Sequence, residues 1–262
     1  MKRTLIEKIP FAVPEEILRL TRGAKIYDSS CSPEASVYLI DKDGGYYLKL
    51  AKSGALGREA QMTEYFHSLG LGAKLLSFGT AEGRDYLLTA RVRGEDCTDR
   101  EYLSSPTRLC DTIATVLRAL HEYDYTGCPV MNRTGEYVAL ARENFEADNY
   151  DKSHFPDSFG YRCAEEAIAA LDEGAHLLRS DTLIHGDFCL PNIMLHDWRL
   201  SGFIDVGAGG VGDRHIDLFW GAWTLGFNLG TDKYRDRFFD AYGRDKVDQD
   251  ALRVVAAAEV FG

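Results

Sequence analysis

This 262-residue chain has no run of apolar residues long enough to span a bilayer. Its opening, MKRTLIEKIPFAVPEE, interrupts the apolar residues with Glu7, Lys8, Pro10 and Pro14, so it reads neither as a signal peptide nor as an anchor. The six cysteines (31, 97, 110, 128, 163 and 189) form no C-x-x-C pair. That removes a zinc ribbon or a disulfide framework from consideration and suits a reducing compartment, so a cytoplasmic protein is expected. Basic residues are also short, 30 Lys and Arg against 41 Asp and Glu, giving a net charge of -11 and a pI near 5.1. A chain so acidic is a poor partner for a phosphate backbone or an anionic membrane, and a better one for cations. The acidity is uneven: nine carboxylates face two basic side chains between Glu143 and Glu173, a solvated helical face or a polycation site.

What is present is enough apolar residue, 45%, to bury a large core. After a short helix starting at Pro14, the first third reads as strands. ASVYLI and YYLKLA are joined by the turn DKDGG, and AKLLSFGT and DYLLTARV by AEGR. GREAQMTEYFHSLG, with Met62, Tyr65, Phe66 and Leu69 at helical spacing, is inserted between the two hairpins. Beyond Gly94 the pattern is mainly helical, in SPTRLCDTIATVLRALHEY, GYRCAEEAIAALDEG, YRDRFFDAYG and DALRVVAAAEV. DRHIDLFWGAWTLGF is apolar on nearly every side and is expected to be buried. The fold expected is α+β and two-lobed: a small N-terminal mixed β-sheet lobe with an inserted helix over residues 1–93, and a larger, mainly helical C-terminal lobe over 94–262.

LIHGDFCLPNIML, residues 183–195, places His185, Asp187 and Asn192 among apolar neighbours, where unpaired polar groups are costly. Either the three satisfy a structural network or a cation or phosphate requires them. The stretch contains H-G-D-x-x-x-x-N, and Asp205 follows in FIDVG. A carboxylate facing an attacking hydroxyl, followed by an amide oxygen and a second carboxylate suited to magnesium, is what phosphoryl transfer from a nucleoside triphosphate needs, in the order of a kinase catalytic loop and metal segment. Lys49, ending YYLK, could reach triphosphate oxygens, and Glu59, opening the next helix, could hold that lysine in place. SSCSPEAS lies where a nucleotide-covering loop would, and its serine hydroxyl could serve phosphate oxygens.

These motifs resemble the aminoglycoside phosphotransferase family over nearly the whole chain, most closely the 3′-phosphotransferases of the kanamycin and neomycin kinase group. The resemblance implies a two-lobed, protein-kinase-like fold and transfer of the γ-phosphate of ATP or GTP, with Mg2+, to a hydroxyl, the 3′ one, of a cationic aminoglycoside. Residue by residue, IHGDFCLPNIM implies Asp187 as catalytic base and Asn192 as a metal ligand, and SGFIDVG implies Asp205 as the second ligand. YYLKLA implies Lys49 on the nucleotide phosphates with Tyr47 over the adenine, and GREAQM implies Glu59 as the lysine's partner. YLLTARVRG implies an inter-lobe backbone around Ala90 and Val92 that meets the adenine edge, and CSPEASVY implies Ser32 in the nucleotide loop. The resemblance also implies that His185 is a structural member of the catalytic loop and that Asp217 of DRHIDLF is a buried acceptor that fixes that loop, neither taking part in the chemistry.

On the acceptor side the expected residues are Asp157 of the acidic run, Glu259 and Phe261. Here the chain departs from its relatives. It ends A-A-E-V-F-G where they carry an acidic, aromatic tail like L-D-E-x-F, so Ala258 stands for an aspartate and Gly262 is extra. Ala208 takes the place of an arginine, and GFNLGTDKY has fewer charges than its counterparts. Three other readings remain: a kinase of the same fold acting on choline, homoserine, a sugar or a peptide antibiotic; a metallohydrolase using His185, Asp187, Asp205, His215 and Asp217; and a silent binding module. Intact Lys49, Asp187, Asn192 and Asp205 count against the last. A monomer without nucleic-acid or membrane partners is expected.

Overall fold

The computed structural model describes residues 3–262 and divides into two compact units. One runs through Asp99 and takes back Pro191–Gly207; the other comprises Arg100–Leu190 and Ala208–Gly262. The sequence reading places its boundary at residue 93 and has no return of a later segment.

The first unit is built on a six-stranded sheet in the order β1-β2-β3-β4-β6-β5, with every pairing antiparallel. Its strands are β1 (Thr4–Ile6), β2 (Lys25–Asp28), β3 (Ala35–Asp41), β4 (Tyr46–Lys52), β5 (Leu75–Ala81) and β6 (Arg84–Ala90). Helix α1 (Glu15–Thr21) follows Pro14, whose fixed φ suits a helix start, with Glu15 and Glu16 in its first turn. The β5–β6 turn has positive φ at both central residues, Glu82 (49°) and Gly83 (76°), which matches the twist of a two-residue hairpin. Helix α2 (Gly57–Ser68) is inserted between β4 and β5 and buries Met62 and Phe66 completely. Asp85 ties down the chain entering it, with Oδ2 accepting the Gly54 and Leu56 N–H groups at 2.9 and 3.1 Å. A second, three-stranded sheet joins β7 (Glu95–Asp96) to the hairpin of β9 (Ile193–His196) and β10 (Arg199–Phe203), which is why 191–207 belongs to this unit.

The second unit is mainly helical: α3 (Arg100–Leu103), α4 (Pro106–His121), α5 (Arg133–Glu146), α6 (Ala164–Gly174), α7 (Arg214–Leu229), α8 (Arg235–Tyr242) and α9 (Gln249–Glu259). A two-stranded antiparallel ribbon of β8 (Thr182–Ile184) and β11 (Gly210–Gly212) flanks the HGD loop. The apolar face of α4 packs inward, with Leu109, Ile113, Leu117 and Leu120 buried and Val116 half-buried. Val138, Ala167, Leu171, Ile216, Val255 and Phe261 form one core shared by α5, α6, α7 and α9. Gly221 of α7 allows α8 to approach, since a Cβ there would sit 2.6 Å from the Phe238 ring.

One expectation fails in α7. Ile216, Leu218 and Leu225 are buried, but Trp223 is 39% and Phe227 71% exposed. The helix is packed on one side, and its hydrophobicity all round does not reflect burial all round. Among the described residues no helix is long and apolar enough to cross a membrane.

Candidate active site

β4 shows how local structure arranges the first unit's site. Alternation along the strand turns Leu48 and Leu50 into the core and directs Tyr47, Lys49 and Ala51 into a cavity of about 610 Å³. Glu59, Ser32, Ala90, Val92, Asn192 and Asp205 line the same cavity, so every nucleotide- and metal-site residue expected from sequence meets there. The Lys49 ammonium lies 2.8 Å from Glu59 Oε2 and 2.8 Å from Asp205 Oδ1. Burial works against its charge, but the two carboxylates outweigh burial and hold the lysine above its ordinary pKa. Burial also pushes the Glu59 carboxyl up, against the pull of Lys49.

Asp205 adopts a left-handed backbone, φ 57°, uncommon outside glycine. Just before it, the Ile204 N–H donates to the Asn192 carbonyl at 3.1 Å, so the chain positions of these two residues are coupled. Gly207 lies beneath Glu59, where a Cβ would come within 3.2 Å of the Glu59 Cβ. An amide oxygen and a carboxylate on one cavity wall are hard oxygen donors of the kind that suit Mg2+, which takes few protein ligands and fills its shell with phosphate and water. Among the described residues no three His, Cys, Asp or Glu side chains gather as ligands of one ion.

One stretch of the cavity wall is apolar, with Val37, Leu87, Met194, Phe203 and Ile204 beside Ala90 and Val92. The Ala90 N–H donates to the Lys74 carbonyl and that of Arg91 to the Gly45 carbonyl, so a base edge has to be read by other groups of this segment. Sequence reasoning missed Arg3, whose Nη2 donates to the Tyr47 hydroxyl at 3.0 Å, and Ser29, only 2% exposed with a hydroxyl lacking a partner among the described residues. Both line the cavity. A single arginine near the start and one serine among several carry no spacing signal, and only the β1–β2–β3 pairing brings them to the site.

In the second unit, the question raised by polar residues in LIHGDF is answered by α7. Asp217 is fully buried and accepts the N–H groups of His185 and Gly186, each at 2.7 Å. His121 lies 3.2 Å from the same carboxylate through Nε2 and 2.9 Å from the Tyr242 hydroxyl through Nδ1. Burial lowers the His121 pKa below its ordinary value, so a neutral ring donates to Asp217 and accepts from Tyr242. The Leu190 N–H donates to the Thr224 hydroxyl at 3.2 Å. Gly186 has φ 83°, and a Cβ there would overlap the Ala208 carbonyl at 2.0 Å, so glycine is required. Asp187 is partly exposed, its N–H 3.3 Å from His185 Nδ1, and burial together with the Asp187 carboxylate pushes the neighbouring Cys189 thiol far up.

The expected acceptor residues are placed unevenly. Glu259 Oε1 accepts the Tyr137 hydroxyl at 2.7 Å and the Trp220 indole N–H at 2.9 Å. Burial first, with the Asp187 charge adding to it, carries its pKa up to about 7 against those hydrogen bonds. Phe261 is fully buried, edge-on to Phe145 and Tyr150 at 5.5 and 5.2 Å, and supports the chain end by packing. Asp157 is exposed on the loop that carries Phe159.

With this geometry described, comparison with known proteins is informative. The sequence profile of the phosphotransferase enzyme family matches residues 31–255. A probable aminoglycoside 3′-phosphotransferase of Lactococcus lactis subsp. lactis (strain IL1403) is 49% identical over 260 residues, covering 99% of this chain and 97% of that protein. Among solved structures, an aminoglycoside-3′-phosphotransferase of type VIII superposes with a TM-score of 0.79 at 23% identity, covering 95% of this chain and 98% of the other. APH(3″)-Id of Streptomyces rimosus, in complex with ADP and streptomycin, gives 0.69 at 22%, covering 94% and 98%. At those identities the structural matches establish the fold.

Proposed function

The chain belongs to the aminoglycoside phosphotransferase family, and from that premise we propose that it transfers the γ-phosphoryl group of a nucleoside triphosphate to the 3′-hydroxyl of an aminoglycoside antibiotic, conferring resistance. The observation that carries this reading is Lys49, held at 2.8 Å by both Glu59 and Asp205 in a cavity that Asn192 also lines. An ammonium fixed between two carboxylates is organised for triphosphate oxygens before any nucleotide arrives, and preorganised charge is the main source of rate in phosphoryl transfer.

Tyr47 with the apolar wall would take the base, Ser32 the phosphates, and Lys49 the oxygens between transferred and leaving groups. Asn192 and Asp205 would hold Mg2+, which when bound neutralises phosphate charge. Asp187 would orient the acceptor hydroxyl and take its proton late, because the transition state is loose. Gly186 and Asp217 keep that carboxylate's backbone fixed. Glu259 and Asp157 would meet acceptor ammonium groups. A phosphate dianion added to a drug that must bind anionic RNA weakens that binding by charge and bulk. The six free cysteines support action in the reducing cytoplasm, and we assign it to a monomer.

Drug-dependent ADP release tests the proposal, measured with MgATP and MgGTP against kanamycin, neomycin, choline and a peptide antibiotic. Turnover confined to the aminoglycosides is expected. Turnover with choline or the peptide, and none with the drugs, would transfer the chemistry to the other acceptor class.

A further inference from the structure

The first unit holds a second cavity that the reaction described so far does not use. It measures about 550 Å³, shares no lining residue with the cavity around Lys49, and is walled by Arg93, His196, Asp197, Arg199, Leu200 and Ser201. Backbone geometry brings these side chains together. His196 and Arg199 are directly opposed at the end of the β9–β10 hairpin, so they share one face of it. The turn between them has positive φ at both central residues, Asp197 (52°) and Trp198 (62°), a conformation costly for a tryptophan. A β-bulge between Leu200 and Gly202 leaves Ser201 on the cavity wall without a cross-strand partner. Arg93 arrives just before Gly94, φ 94°, where a Cβ would overlap the Leu195 carbonyl oxygen at 2.0 Å and crowd the His196 Cβ at 3.1 Å. Glycine alone lets the chain lie this close to β9.

Charge sets this cavity apart. At least nine other arginines of the described residues lie within 3.5 Å of a carboxylate, as suits a chain of net charge -11. Arg93 and Arg199 are exposed, and neither guanidinium has an ion-pair partner among the described residues. The one carboxylate in the wall, Asp197, is 3.6 Å from its neighbour His196. We propose that the cavity is an anion site for a small phosphate, free or carried as a monoester, gripped by the two guanidinium forks, with the Ser201 hydroxyl and the His196 ring as further donors. Donors on four side chains around one space suit a tetrahedral dianion. A nucleic-acid backbone suits it less, because a net charge of -11 repels an extended polyanion while two adjacent guanidiniums hold a single dianion. The position also has a mechanical consequence. β9 starts directly after Asn192 and β10 ends two residues before Asp205, so a phosphate at the turn braces the hairpin that carries both.

The test is calorimetric titration of inorganic phosphate into the full-length protein, with MgAMP-PNP present to fill the cavity around Lys49. Two double variants are compared. R93Q/R199Q removes the proposed forks, and R19Q/R22Q removes the same charge from α1, where the two side chains are 71% and 72% exposed. All four arginines are exposed, so both variants should keep wild-type circular dichroism. One saturable site is expected in wild type, weakened at least about ten-fold in R93Q/R199Q and less than about two-fold in R19Q/R22Q. Phosphate should raise the melting temperature of wild type and R19Q/R22Q and leave that of R93Q/R199Q unmoved. Phenyl phosphate binding more tightly than inorganic phosphate, with the gain lost in R93Q/R199Q, supports a monoester ligand; equal or weaker binding supports the free ion. Absence of a saturable site overturns the proposal, as does an equal loss in both double variants, which is general attraction by charge. If MgAMP-PNP itself does not bind, the functional reading above is what fails, and the comparison of the two double variants still decides this site.

Discussion

The two units solve the same problem, polar groups held in apolar surroundings, in different ways. In the first, opposite charges satisfy one another: Lys49, Glu59 and Asp205 form a closed set on a cavity wall. In the second, the backbone of the HGD loop is satisfied by side chains of α7, Asp217 and Thr224, and the Glu259 carboxylate by a phenol and an indole. The first arrangement fixes residue identity, since an ammonium is held between two carboxylates only if all three side chains carry these charges. The second fixes geometry and leaves the exposed rim free to change, and the rim is where this chain places aromatics.

That contrast breaks most visibly at Asp187. Asp187→Ala should lower drug-dependent ADP release by about 10³-fold or more while nucleotide affinity measured by calorimetry changes little; near-normal turnover would remove the assigned base. Asp217→Ala should follow, because the N–H groups of His185 and Gly186 and a buried histidine lose their acceptor. We expect a loss of about 3 kcal/mol or more in chemical denaturation, with activity falling alongside. Lys49→Met should reduce kcat/KM by roughly 10²-fold and lower the melting temperature as well, because Glu59 and Asp205 lose the cation between them.

The smallest effect concerns Glu259. With its pKa up to about 7, the carboxyl is neutral below that pH and anionic above it. Acceptor KM should therefore fall several-fold as pH rises through about 7, and Glu259→Gln should flatten the profile near the acid-side value. The stability sign runs oppositely: a carboxyl raised by folding contributes most below its ordinary range near 4.5, and that contribution is gone above about 7. A pH profile unchanged in Glu259→Gln would remove this residue from acceptor binding.

The same contrast explains what was legible in the sequence. Lys49, Glu59, Asn192 and Asp205 could be read because their chemistry restricts residue type, and the alternation of β4 is visible in YYLKLA. Asp217 was legible as a scaffold acceptor, but its link to His121 was not, since nothing in the spacing relates residues 96 positions apart. The return of 191–207 to the first unit depends on the pairing of Glu95 and Asp96 with β9, a contact too short to leave a pattern. Arg3 reaches Tyr47 only through the order of strands in the sheet. Phe227 misled because hydropathy records what a side chain prefers and not what the fold supplies to cover it.

The most direct measurement is the phosphorus and proton NMR of the product formed from kanamycin B and MgATP, run beside the analogue lacking only the 3′-hydroxyl. A single phosphate ester at the 3′ position, formed one-for-one with ADP, and no ester on the 3′-deoxy analogue is the predicted result. An ester on both compounds would contradict the regiochemistry, and ADP released with no ester on either would contradict phosphoryl transfer to the drug.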